Sequence, residues 1–203
     1  MDIIIKDLSK SYKKNIVFNN LNLKIKENKT TCIMGASGVG KTTLLRILLG
    51  LEKSDSGSIE GLEGKKITAV FQENRLVENI NSIKNIQLVC EKPLSTKKIS
   101  HELDQVGLNG FELHPINQLS GGMKRRVAIV RGLIGDFDII IMDEPFKGLD
   151  IELKDKVIEY VKDKTKNKTV IIVTHDINEV KKLNANKIHL NFTNKNRDGI
   201  ISE

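Results

Sequence analysis

Gly35-Ala36-Ser37-Gly38-Val39-Gly40-Lys41-Thr42 constrains the fold of this 203-residue chain more than any other segment. Gly35, Gly38 and Gly40 permit backbone turns that other residues resist, so successive N–H groups can point inward as a nest for an anion. The β-branched and apolar residues 30–34 lead into the loop, and a segment with helical spacing leaves it at Lys41. Strand, glycine loop and helix together form the context of a phosphate-binding loop, with the helix dipole adding to the attraction. On this reading residues 35–40 cradle phosphate oxygens and Lys41 puts its charge at the β- and γ-phosphates of a nucleotide. Thr42 offers a hydroxyl to Mg²⁺, and Thr43 is grouped with the nucleotide-binding residues. A plain glycine turn is the alternative, and Lys-Thr at fixed offsets after three glycines weighs against it.

Short β-branched runs alternate with longer helical-period stretches, the signature of an α/β domain with a partly parallel sheet. Strands are expected at residues 3–5, 16–25, 30–34, 67–71, 139–142, 170–173 and 187–190, and helices at 41–49, 123–134, 151–163 and 177–183. In the third helix Leu153, Val157, Tyr160 and Val161 form one apolar stripe fit to pack on a sheet. Residues 73–119 differ, with few β-branched runs, a break at Pro93, and Leu76, Ile80 and Ile83 at helical steps. They read as a small helical insertion between two halves of the sheet domain. The polar tail 191–203 is expected to fray.

Composition narrows the class further. With 39% hydrophobic and 29% charged residues, disordered, collagen-like and coiled-coil chains are excluded. Apolar runs such as Ile139-Ile140-Ile141-Met142 fall far short of the roughly 20 residues of a membrane span. Met1-Asp2-Ile3-Ile4-Ile5-Lys6 is neither a secretory nor a transit segment, so the mature protein is expected to be the whole chain, kept in the cytoplasm. Cys32 and Cys90 lack metal-ligand spacing and read as thiols in a reducing compartment. The net charge of +7 comes from Lys spread among Asn and Ile without aromatic interleaving, so no nucleic-acid partner is expected.

Two further segments carry chemistry. The apolar strand 139–142 ends in Asp143-Glu144-Pro145, and in an α/β sheet ligands gather at such C-terminal strand ends. Asp143 is expected to hold Mg²⁺, and Glu144 to act as general base on the attacking water. Leu119-Ser120-Gly121-Gly122 precedes a helix with Met123, Val127, Val130 and Ile134 on one face, and Ser120 is a natural N-cap. Two glycines in a first helical turn cost up to about 1 kcal/mol each relative to Ala, which a second anion approaching this helix end would offset. Two anion-binding helix ends with one Mg²⁺ site suggest that they meet across a dimer.

These segments resemble the nucleotide-binding domain of ABC (ATP-binding cassette) transporters over nearly the whole chain. Ser120-Gly121-Gly122 is similar to the signature loop, Gln72 to the Q-loop glutamine and Asp143-Glu144 to the Walker B end. Gly148-Leu149-Asp150 is similar to the D-loop and His175 to the switch histidine, while Tyr12 stands where the family stacks an aromatic on adenine. The resemblance implies an α/β P-loop NTPase of the ABC type, with a mixed β-sheet core. One domain, 1–203, would contain a helical subdomain at about 73–135 inserted in a RecA-like core. It further implies two ATP molecules, each enclosed by one subunit's phosphate loop and the other's Ser120-Gly121-Gly122. Gln72 would sense Mg²⁺ and link the site to the helical insertion, and His175 would contact the γ-phosphate. Met123 replaces the family's usual Gln without removing Ser120 or the glycines, so closure on ATP is expected to survive. Lys147-Gly148 replaces the common Ser-Ala and puts a charge near the subunit contact.

The resemblance therefore implies a Mg²⁺-dependent ATPase that powers transport through separate transmembrane permease subunits, peripheral on the cytoplasmic face of the cell membrane. It would work as a homodimer or with a related ATPase. Glu144-Pro145-Phe146 resembles importer ATPases related to nitrate, sulfonate and taurine uptake. Exporters also use short separate ATPases, and a cytosolic ABC-type ATPase acting on nucleic acid or ribosomes is the other alternative. The latter usually carries paired cassettes, coiled coils or zinc insertions, which 203 residues do not accommodate. A non-hydrolytic binding module would be expected to lack Glu144 or His175.

Overall fold

Uninterrupted apolar runs such as 139–142 suit strands covered on both faces. The computed structural model describes residues 1–13 and 15–191. The elements are β1 (Ile3–Tyr12), β2 (Asn15–Ile25), β3 (Thr30–Gly35), α1 (Lys41–Leu48), β4 (Ser56–Glu60), β5 (Ile67–Val70), α2 (Ser82–Gln87) and α3 (Thr96–Gln105). They continue with α4 (Gly121–Leu133), β6 (Ile139–Asp143), α5 (Ile151–Lys164), β7 (Thr169–Val173), α6 (Ile177–Lys182) and β8 (Asn186–Leu190). Parallel and antiparallel pairing are segregated. One sheet has the order β5-β6-β7-β3-β8, all parallel, and the other the order β2-β1-β4, antiparallel.

Strand alternation splits the core in two. Ile140, Met142, Val170 and Ile172 face α4, α5 and the helical stretch, whereas Ile139, Ile141, Ile171 and Val173 face α1 and the antiparallel sheet. At about 25 cal/mol per Å² of apolar area removed from water, both faces contribute to stability. Helix α4 packs on β5 and also on α2 and α3. Gly132 permits its close approach, since a Cβ there would lie 2.6 Å from Val70 Cγ2.

Three features depart from the sequence expectations. Strand β1 runs to Tyr12 rather than ending at Ile5, its alternation hidden by bulges between Ile5 and Leu8 and between Leu8 and Lys10. Strand β4 was not expected from Ser-Gly-Ser-Ile-Glu; Gly57 lets it approach β1, where a Cβ would lie 2.6 Å from backbone atoms of Lys6, Asp7 and Leu8. Leu76 and Ile80 are not helical, because helix α2 begins only at Ser82. The buried Asn85 side chain holds the preceding loop instead, accepting from Val77 N at 2.8 Å and donating to Val77 O at 3.0 Å. The expectation of a fraying tail concerns residues 191–203, of which all but Asn191 lie outside the described residues. Among the described residues no helix is long and apolar enough to cross a membrane.

Candidate functional site

The C-terminal ends of four parallel strands converge. Strand β3 runs into the glycine loop, β5 leads to Gln72, β6 ends at Asp143 before Glu144, and β7 leads to Thr174-His175. Gly35 has φ 149°, and a Cβ there would lie 2.5 Å from the Leu190 carbonyl oxygen. Gly40, which precedes α1 with φ 98°, would push a Cβ to 2.5 Å from Val17 Cγ1. Packing alone therefore demands these glycines. Buried Lys41 donates from Nζ to Gly35 O at 2.9 Å and Ala36 O at 2.8 Å, which leaves its third donor uncommitted to those carbonyls. Burial lowers the Lys41 ammonium below its usual range, against the opposing pull of Glu144 and Asp143.

Thr42 Oγ1 donates to Asp143 Oδ2 at 3.0 Å. Burial pushes the Asp143 carboxyl above the usual carboxylate range; the Thr42 bond works the other way, and Glu144 adds to the rise. Glu144 takes a left-handed backbone with φ 46°, a conformation that costs of order 1–3 kcal/mol in a non-glycine residue and clusters at functional sites. Its N–H donates to Val173 O at 2.9 Å, tying the ends of β6 and β7 together. One carboxylate oxygen lies 3.1 Å from His175 Nε2, and the other 2.8 Å from Lys147 Nζ. The Glu144 side chain is 15% exposed and that of Lys147 64%, so the second contact is a surface pair worth about 1 kcal/mol or less. The His175 segment is pinned by Thr174, whose N–H donates to Ile33 O at 3.2 Å and whose hydroxyl accepts from Asp176 N at 3.1 Å.

Ser37, Gly38, Gly40, Lys41, Thr42, Thr43, Gln72, Asp143, Glu144 and His175 all line one cavity of about 290 Å³. Val17, Lys147 and Val173 line it as well; they were not among the expected site residues. Lys147 had been expected near a subunit contact, and its spacing of three residues from Glu144 across a turn is the signal that would have paired them. Gly35 and Ala36 face Lys41 through their carbonyls, and Val39 is buried in the core, offering the site only its backbone. Tyr12 does not line the cavity; it is exposed at the end of β1, and its hydroxyl donates to Glu52.

Ser120, Gly121 and Gly122 do not line the cavity either. Ser120 and Gly121 are exposed, and Ser120 Oγ accepts from Met123 N at 3.3 Å as the N-cap of α4. Ser120 and Gly121 are thus open to solvent, whereas Gly122 is half-buried. A larger cavity, about 610 Å³, lies between β5, α4 and residues 89–94. It holds no comparable convergence of loop amides, hydroxyl and carboxylates, so the smaller cavity is the chemical candidate.

A nucleotide with Mg²⁺ fits these residues. The glycine loop supplies amides at a helix N-terminus, and the hydroxyl of Thr42 beside the carboxylate of Asp143 is a hard oxygen pair. Among the described residues no cluster of three His, Cys, Asp or Glu side chains is placed to hold a metal by itself.

Comparison with known proteins places these features in context. The sequence profile described as ABC transporter matches residues 18–147. The chain is 32% identical over 203 positions to the spermidine/putrescine import ATP-binding protein PotA of Mesoplasma florum, covering 92% of this chain and 58% of that protein. It is 36% identical over 174 positions to the aliphatic sulfonates import ATP-binding protein SsuB 2 of Pseudomonas syringae pv. tomato, covering 84% of this chain and 74% of the relative. The chain therefore spans little more than half the length of the first of these relatives. The dimeric structure of MJ0796, a bacterial ABC transporter cassette, superposes with a TM-score of 0.81 at 31% identity, covering 92% of this chain and 93% of that one. Its dimeric post-hydrolysis state bound to ADP and Pi gives 0.81 at 30% identity.

Proposed function

The chain belongs to the ABC transporter family, and on that premise we propose that it hydrolyses ATP to ADP and phosphate to drive import through separate transmembrane subunits. The observation that carries this reading is the convergence of Lys41, Thr42, Asp143, Glu144 and His175 on one cavity.

Residues 35–40 and Lys41 bind the triphosphate, the loop through its amides and Lys41 as a point charge at the β- and γ-phosphates. Thr42, Asp143 and Gln72 would hold Mg²⁺, which would supply charge neutralisation on the phosphates. Glu144 accepts the proton of the water whose oxygen bonds to the γ-phosphorus as the bond to the departing ADP oxygen breaks. His175 steadies Glu144 and the γ-phosphate. The Lys147 contact on Glu144 is weak enough to yield to that water. Tyr12 stacks on adenine.

Ser120, Gly121 and Gly122 close the site from a second subunit, either another copy or a related ATPase. The exposure of Ser120 and Gly121 supports this, as does the dimeric state of the structural relative. The names of the relatives, both import ATP-binding proteins, favour import over export. Residues 73–135 act as the helical subdomain that docks on the membrane subunit, and the protein sits on the cytoplasmic face of the membrane. No nucleic acid takes part.

Phosphate release from Mg-ATP by the purified chain tests the reading, with DNA and RNA added in parallel. Turnover that neither nucleic acid alters is expected, and Glu144→Gln should reduce it at least about 100-fold. A wild-type chain without turnover, or a Glu144→Gln variant at the wild-type rate, would contradict it.

A further inference from the structure

Arg125 lies in the second turn of α4 and is buried, yet among the described residues it faces no carboxylate oxygen within hydrogen-bonding distance. Its guanidinium is surrounded by carbonyls. Nε donates to Pro145 O at 2.8 Å, and Nη2 donates to Asp143 O at 2.7 Å and Glu144 O at 2.8 Å. Nη1 donates to Phe71 O, to Gln72 O at 3.3 Å and to Asn74 Oδ1 at 3.4 Å. The planar fork thus reaches the backbone leaving β5 and the backbone leaving β6 at once. Burial lowers the guanidinium to about 10, with Asp143 and Glu144 opposing the shift, so it remains cationic at neutral pH.

The geometry has a direction. Three consecutive carbonyls, those of Asp143, Glu144 and Pro145, are gathered on one side chain at the point where Glu144 adopts φ 46°. A strained conformation persists only where its surroundings over-determine it. Gln72 is held by its own carbonyl on the same guanidinium, and the helix that carries Arg125 begins at Gly121. The neighbouring Arg126 does something different, donating to Val106 O and Gly107 O in the helical stretch and reaching neither strand end.

We propose that Arg125 is a positioning residue that locks the backbone of Gln72 to that of Glu144 and ties both to the serine-diglycine end of α4. A shift of α4 is then transmitted to the general base and the Q-loop together. The proposal rests on the ATPase reading above. Lysine cannot replace the fork, because it offers a single point charge and three donors from one atom.

Arg125→Lys and Arg125→Gln in the full chain, with Arg126→Lys for comparison, test it by two independent readouts. The first is amide exchange in nucleotide-free protein. Residues 71–75 and 143–148 should exchange at least tenfold faster together in both Arg125 variants, with 35–43 unchanged within twofold, and Arg126→Lys should leave all three as in wild type. The second is kinetic, with kcat at least tenfold lower and nucleotide affinity within threefold of wild type. Unchanged exchange, exchange altered in only one of the two segments, or kcat and affinity falling in step would overturn the proposal. So would an Arg125→Lys chain that no longer melts cooperatively, since the role would then be structural. A wild type without ATP turnover defeats the ATPase reading alone, and the exchange data still decide whether Arg125 couples the two strand ends.

Discussion

The hydroxyl of Thr42 donates to the carboxylate of Asp143 at 3.0 Å across 101 positions of sequence. Strands β3 and β6 both border β7, and parallel pairing brings their C-terminal ends level, so the residue after one strand's loop meets the last residue of the other. Asp143 sits there at a cost, since burial raises its carboxyl above the usual range.

Asp143→Asn should therefore separate stability from function. A folded-state value above the unfolded one makes the ionised carboxylate a destabilising element once pH exceeds the unfolded value. Without Mg²⁺ at neutral pH, the variant is expected to melt at or above the wild-type temperature. The Mg²⁺ concentration for half-maximal turnover should rise at least about tenfold, equivalent to roughly 1.4 kcal/mol. An unchanged Mg²⁺ dependence would remove Asp143 from the cation site.

Lys41→Ala tests the loop. The ammonium bonds the Gly35 and Ala36 carbonyls in the chain itself, and on the proposed reading its remaining donor goes to phosphate. Hydrogen bonds to charged groups are worth about 1.5–3 kcal/mol, so nucleotide affinity in a fluorescence titration is expected to fall roughly 10- to 100-fold. Wild-type affinity would refute the phosphate-loop assignment.

The two thiols should differ in kind. Cys32 is fully buried in β3, and burial pushes its thiol up to about 12, whereas Cys90 is half-buried, its thiol raised chiefly by burial as well, and it lines the larger cavity. A thiol reagent at neutral pH is expected to modify at most Cys90 in the native protein and both residues after denaturation. Labelling of Cys32 at the rate of Cys90 in native conditions would contradict the packing of β3.

Much of this was legible in the sequence because the relevant signals are local. The glycine loop, the apolar run into Asp143-Glu144 and the stripe Leu153, Val157, Tyr160 and Val161 each declare themselves within a few residues. Strand β4 did not, since Ser-Gly-Ser carries no apolar alternation and is held by the neighbour that Gly57 lets it approach. The irregular path before α2 depends on Asn85, whose amide satisfies backbone groups several residues away. Arg125 was invisible for a related reason. Its partners are main-chain carbonyls on two strand ends, so a basic residue in a helix reads like any solvated one. Gln72, His175 and Tyr12 were singled out only by family resemblance. The structure brings Gln72 and His175 to the cavity and leaves Tyr12 outside its lining.

The central claim is that triphosphate is enclosed between the phosphate loop of one subunit and the serine-diglycine end of another. Sedimentation of Glu144→Gln with and without Mg-ATP, alone and combined with Gly121→Asp, tests it most directly. A Cβ on Gly121 meets nothing within 4 Å, so the isolated subunit has room for the second change. Glu144→Gln is expected to run as a dimer only with Mg-ATP, and the double variant as a monomer throughout. A Glu144→Gln mass indifferent to Mg-ATP, or a double variant that dimerises as readily as the single one, would contradict it.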